Sequence, residues 1–265
     1  MIENIDNTRW WQRIWAAFIF FTRLPFWRIY QPPQACYNSV VEHWPLVGWL
    51  TGGIMALIIW FGSAVLPYSV VILAAIISRV LLTGALHEDG LADFFDGFGG
   101  GGNNRERILA IMKDSHIGTY GVLALILYFA LLYTALYNLQ PLHAALAVFA
   151  GDAYSKLVAG QIILFLPYAR TEETAKNQTV YRKISVPAGI SMFLQGVLPL
   201  IPILYIGITG GILRWELVVF VPCITMYFLY YMMLRKLHGY TGDCCGALFL
   251  LVELSFYLTI LLQIG

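Results

Sequence analysis

The feature that most constrains this chain is its alternation of long apolar runs with polar segments of uneven length. The runs cover about 46–66, 69–86, 120–137, 143–166, 186–208, 216–233 and 246–264. Each approaches the roughly 20 residues that a helix needs to cross a bilayer. Inside lipid every backbone polar group must be paired, so single spans of this kind have to be helical. Only 12% of the 265 residues are charged and 59% are hydrophobic, against about 25% charged in an ordinary soluble domain. The expectation is an all-α integral membrane protein of about seven transmembrane helices, forming a single polytopic domain over 1–265. Before the first span, residues 10–24 (WWQRIWAAFIFFTRL) are too few to cross. Their tryptophans suit the headgroup zone, which predicts an N-terminal interfacial or re-entrant helix.

Charge is distributed unevenly between the two faces that these spans create. Arg9, Arg13, Arg23 and Arg28 precede the first span, and Arg105, Arg107 and Lys113 lie between the second and third. Arg170, Lys176, Arg182 and Lys183 follow the fourth, and Arg235 and Lys236 the sixth. With seven spans all of these fall on one face, leaving Arg214 on the other. Positive charge marks the cytoplasmic side, so the N-terminus is expected inside, in the cytoplasmic (inner) membrane of a prokaryote. The long polar segments share that face, which favours an enzyme with its active site at the cytoplasmic face over a channel. A net charge of +1 argues against nucleic acid as a partner. Cys36, Cys223, Cys244 and Cys245 show no disulfide framework and no C-x-x-C pair. A cleavable signal peptide is not expected, because Arg13 and Arg23 interrupt the first apolar run.

The chemistry concentrates in His87-Glu88-Asp89-Gly90-Leu91-Ala92-Asp93-Phe94-Phe95-Asp96-Gly97. Asp89, Asp93 and Asp96 stand at i, i+4 and i+7, on one face of a helix. Carboxylates favour a helix N-terminus, but so many acids in a charge-poor chain favour a divalent cation. A carboxylate-rich set with no thiol suits Mg²⁺, often held together with substrate phosphates, better than zinc. Downstream, Met112-Lys113-Asp114-Ser115 and Gly118-x-x-Gly121 add a cation, a further carboxylate and room for close backbone approach. Gly99 to Gly102 is read as a flexible linker. Thr241-Gly242-Asp243 precedes the last run, where Asp243 is a helix cap or a ligand, with equal weight. Arg79, Asp152, Lys156 and Glu253 lie within apolar runs, where charges usually face the interior and pair. Asp152 and Lys156, at i and i+4, are expected to form an ion pair. Arg79, about two turns before the acidic motif, could instead meet a substrate phosphate.

Asp89-Gly90-Leu91-Ala92-Asp93-x-x-Asp96-Gly97 resembles the signature of the cobalamin synthase (adenosylcobinamide-GDP ribazoletransferase) family. The likeness continues in collinear order through Phe21-Thr22-Arg23-Leu24-Pro25, Pro45-Leu46-Val47-Gly48, Arg107 and Met112-Lys113-Asp114-Ser115-x-x-Gly118. It then takes in Tyr168-Ala169-Arg170 and Thr241-Gly242-Asp243-x-x-Gly246-Ala247. The sequence departs from the pattern after Arg170, where Thr171 to Thr174 lack a glycine, and at Asp152, where an arginine is expected. The resemblance implies a Mg²⁺-dependent membrane enzyme joining adenosylcobinamide-GDP to α-ribazole or its 5′-phosphate, with release of GMP. It implies Asp89, Asp93 and Asp96 as the metal ligands on the diphosphate. Asp114 or Asp243 would complete the metal shell or accept the proton of the attacking hydroxyl. Lys113 and Arg107 would steady phosphate charge, and Arg79, Ser115 and Arg170 would contact substrate. A homo-oligomer, or an association with other late enzymes of the same pathway, is left open. A CDP-alcohol phosphotransferase needs a closing glycine-aspartate series that this chain lacks. A secondary transporter predicts inverted repeats, and none stands out.

Overall fold

The computed structural model describes residues 8–170 and 181–264. Lys176 and the Thr171-to-Thr174 departure fall outside them. The described chain is helical, with one isolated backbone bridge between Tyr168 and Tyr240. In order the helices are α1 (Trp10–Phe21), α2 (Trp44–Gly62), α3 (Tyr68–Thr83), α4 (Leu86–Gly100), α5 (Arg105–Ile111) and α6 (Thr119–Tyr137). They are followed by α7 (Pro141–Gly160), α8 (Ile162–Phe165), α9 (Val186–Val197), α10 (Leu200–Thr209), α11 (Trp215–Leu237) and α12 (Gly242–Ile264). Two 3₁₀ segments, Phe26–Arg28 and Gln34–His43, join α1 to α2. Five helical stretches are long and apolar enough to cross a membrane, and seven if each of two bent pairs counts as one span. The expected seven spans sit at the top of that range.

The two bent pairs have identifiable causes. The second expected span stops early: α3 has 16 residues, or about 24 Å of helix. Gly84 (φ +64°) and Ala85 (φ +57°) are both left-handed, a conformation that costs little for glycine and more for alanine. They turn the chain by 88°, and the acidic motif continues as α4, the helix that its i, i+4, i+7 spacing suits. A side chain at Gly84 would also strike Arg23. In the fifth expected span, α9 and α10 are bent by 47° around Leu198-Pro199, where proline cannot donate the next helical hydrogen bond. At 12 residues α1 is too short to span, and Trp10 at its start is exposed.

The centre of the bundle is α7, buried almost continuously from Ala144 to Gly160, with α2 and α12 against it. Small residues set the spacing. A Cβ at Gly48 would lie 2.7 Å from the Ala153 backbone, and one at Gly52 2.7 Å from the Val148 carbonyl oxygen. This Gly-x-x-x-Gly pair brings two helix backbones together where lipid supplies no hydrophobic drive. The intramembrane charges pair within the core. Lys156 bonds Asp152 along α7, as the i, i+4 spacing predicts, and the Thr51 hydroxyl donates to Asp152 at 2.8 Å. Arg79 Nη1 donates to both Glu253 oxygens at 2.5 Å, and Nη2 donates to the Tyr128 hydroxyl at 2.7 Å. Tyr257 completes the group by donating to Glu253 at 2.7 Å.

The glycine run is not a free linker. Gly99 and Gly100 finish α4, Gly101 caps it, and a Cβ at Gly99 would lie 2.7 Å from the Tyr120 ring. The glycines let α4 end tightly against its neighbours.

Candidate active site

The acidic motif meets the start of α12 at a close helix crossing. A Cβ at Gly90 would lie 2.9 Å from the Asp243 carbonyl oxygen, and one at Gly246 3.1 Å from the His87 carbonyl oxygen. Glycine on both helices therefore lets backbone approach backbone. Thr241 rather than Asp243 caps α12, because its hydroxyl accepts from the Cys244 amide at 3.3 Å. Asp243 follows in the first helical turn, and its carboxylate joins those of Asp89 and Asp93. One ligand oxygen from each of the three can be chosen so that all lie within 4.8 Å of one another. Gly90→Ala should push α4 and α12 apart and lower activity at least tenfold while Tm changes less. An assay paired with a melting curve checks this.

Asp96 does something else. It is buried, and its carboxylate accepts the Gly118 amide at 2.7 Å and the Gly121 amide at 2.9 Å. These are amides at the N-terminus of α6, where a carboxylate complements both the open donors and the helix dipole. A Cβ at either glycine would lie 2.5 Å from a carboxylate oxygen of Asp96. The i, i+7 spacing holds along α4, but this third carboxylate fastens α4 to α6 instead of joining the group of three. Asp96→Asn, which turns an acceptor into a donor facing an amide, should cost about 1–3 kcal/mol. Lower Tm with metal binding retained is the expected reading.

The loop before the undescribed segment is zipped to the loop before α12. The Ala169 amide donates to the Tyr240 carbonyl at 2.7 Å, and the Tyr240 amide to the Pro167 carbonyl at 3.0 Å. Arg105, to which the sequence assigned no role, bonds the Leu237 carbonyl at 2.8 Å and the Ala169 carbonyl at 2.7 Å. This clamp presents Tyr168 and Arg170 to a cleft that Asp89 and Asp243 also line. Arg170 is held by the Leu109 carbonyl at 3.1 Å. Burial, with Cys245 and Asp243 nearby, raises the Tyr168 hydroxyl above its ordinary pKa, so it stays a neutral hydrogen-bonding group.

The remaining expected site residues lie elsewhere. Arg79 is fully buried in its ion pair with Glu253, so it is not available to a substrate phosphate. Lys113, Asp114 and Ser115 are exposed in the turn between α5 and α6, and Arg107 is exposed on α5. Among the described residues that line the cleft, none of these four appears. Asp114 accepts from the His116 ring at 2.7 Å, and that bond lowers the pKa of Asp114 and raises that of His116. The cleft also takes in Trp44, to which the sequence assigned no role, with Phe21 on the same wall and His87 two residues before Asp89.

The family model described as cobalamin-5-phosphate synthase matches residues 13–261. A Leptospira interrogans protein named adenosylcobinamide-GDP ribazoletransferase is 34% identical over 254 residues, covering 94% of this chain and 95% of its own. Proteins of the same name are 36% identical in Shewanella woodyi (91% of this chain, 92% of theirs) and 33% identical in Shewanella oneidensis (98% of each). No solved structure matches the chain. The chain belongs to the cobalamin-5-phosphate synthase family.

Proposed function

We propose that this protein joins adenosylcobinamide-GDP to α-ribazole, or its 5′-phosphate, at the cytoplasmic face of a prokaryotic inner membrane, with its N-terminus inside. The observation that carries this reading is the meeting of Asp89, Asp93 and Asp243 on two glycine-crossed helices, with Asp89 and Asp243 lining one cleft with Arg170. The ligand group found among the described residues consists of three carboxylates, a hard oxygen donor set, which fits Mg²⁺. Asp89, Asp93 and Asp243 would hold the ion. Bound there, it would neutralise charge on the diphosphate of the donor.

The protein's own residues then account for the rest of the transfer. Arg170 draws the donor's diphosphate into the cleft, and Asp89, Asp93 and Asp243 would hold a cation that offsets the repulsion between those carboxylates and the diphosphate. A ribose hydroxyl oxygen of the acceptor attacks the phosphorus that carries the cobinamide. The bond from that phosphorus to the bridging oxygen breaks, GMP leaves with the electron pair, and the hydroxyl proton passes to solvent water in the cleft. Positioning and charge neutralisation are most of what such a transfer requires. Arginine on the shared face of the loops keeps the site on the cytoplasmic side, where nucleotide-linked substrates are found.

The test uses purified protein in lipid nanodiscs with adenosylcobinamide-GDP, α-ribazole and Mg²⁺. GMP is expected only when all three are present, and EDTA should stop its release. No GMP from the complete mixture would overturn the reading.

A further inference from the structure

One wall of the cleft is built from stacked aromatic rings that the reaction described so far does not use. Phe21 and Trp44 stack with centroids 5.2 Å apart at 14°, and Trp44 and His87 at 5.7 Å and 26°. Trp44 is 1% and His87 3% exposed, yet both line the cleft. Trp44 Nε1 and His87 Nε2 are buried without a hydrogen-bond partner among the described residues. A buried indole N–H with no acceptor costs about 1–3 kcal/mol, and buried polar side chains nearly always have a partner. Both nitrogens belong to rings that line the cleft, which is where a ligand could supply the missing partners.

The chemistry of that ligand follows from the wall. An indole N–H only donates, so the ligand must offer an acceptor. Phe20, Val41 and Leu86 line the cleft with these rings, which suits a flat, largely apolar ring on this side of it. Guanine fits poorly, because its edge carries several donors that this wall would leave unpaired. The carboxylates that could take them already sit in the cluster of three. A benzimidazole fits well: it is flat, apolar at its periphery, and has one in-plane acceptor nitrogen.

We propose that Trp44 and His87 form the seat for the heteroaromatic base of the acceptor nucleoside, with Trp44 Nε1–H donating to the ring nitrogen. This rests on the transfer reaction proposed above and deepens it, since it places the acceptor's ribose between the base seat and the acidic cluster. Trp44→Phe keeps an aromatic ring and removes the N–H.

The test measures KM for each substrate separately, together with calorimetric binding of α-ribazole, which needs no turnover. Trp44→Phe should raise KM and Kd for α-ribazole about tenfold, the loss of one hydrogen bond, and leave KM for adenosylcobinamide-GDP unchanged. A rise confined to the GDP substrate would overturn the proposal by making the wall the guanine seat. A folded variant with neither KM altered would overturn it too. Should Trp44→Phe not fold, the wild-type protein is given an indole ribonucleoside, which lacks the acceptor nitrogen. About tenfold weaker binding than α-ribazole supports the seat, and equal binding refutes it. The two readings fail separately. GMP release with no effect of Trp44→Phe sinks the seat alone, whereas α-ribazole binding without GMP release sinks the reaction alone.

Discussion

Asp93→Asn should lower GMP release by about 10³-fold, roughly 4 kcal/mol of transition-state stabilisation, while the protein stays folded. The substitution is nearly isosteric, so packing on α4 is preserved, but it removes one of three carboxylates whose oxygens gather within 4.8 Å. Amide oxygens are weak ligands beside carboxylates, and a site reduced to two charges holds a divalent ion and a diphosphate poorly. Asp243→Asn should behave in the same way, because Asp243 supplies the third oxygen from the opposing helix. The check is a rate measurement on variants with matched melting curves and matched detergent elution. Loss of both activity and Tm would instead indicate a structural role of the kind assigned to Asp96.

The largest effect on stability is expected at Glu253. Glu253→Leu leaves the fully buried Arg79 guanidinium without its counter-charge, and breaking a buried pair on one side costs about 3–5 kcal/mol. Tyr128 and Tyr257 hydrogen-bond to the pair but carry no compensating charge. Arg79→Met combined with Glu253→Leu should recover most of that loss, because apolar replacement of a whole buried pair is often close to neutral. Thermal or denaturant unfolding of the two single variants and the double variant closes the cycle. Equal Tm for Glu253→Leu and wild type would contradict the assignment of Arg79 to the core.

The helices and the Asp152–Lys156 pair were legible in the sequence because both rest on local rules. Apolar length marks a span, and i, i+4 spacing put Lys156 opposite Asp152. The bend after α3 was not legible, because a Gly84-Ala85 step in an apolar run reads as more helix until both residues are seen in the left-handed region. That bend redirects the acidic motif, whose spacing already suited a helix, at 88° to α3. The acidic cluster was half legible. Spacing on α4 brings Asp89 and Asp93 together, but it cannot show that Gly118 and Gly121 claim Asp96 from another helix. Nor can it show that Gly90 and Gly246 admit Asp243 to the vacated place. Glycines at helix crossings carry that information only once the crossing is known. Arg79 was misread for a related reason: its partner Glu253 lies 174 residues away in the chain.

The central claim is that the metal-holding group is Asp89, Asp93 and Asp243, with Asp96 outside it. Mn²⁺ serves as a paramagnetic stand-in for Mg²⁺, and its binding to purified protein can be titrated by electron paramagnetic resonance without any substrate. Asp243→Asn should weaken Mn²⁺ binding at least tenfold, and Asp96→Asn should leave the affinity unchanged while lowering Tm. The reverse order, with Asp96→Asn abolishing binding and Asp243→Asn retaining it, would contradict the account.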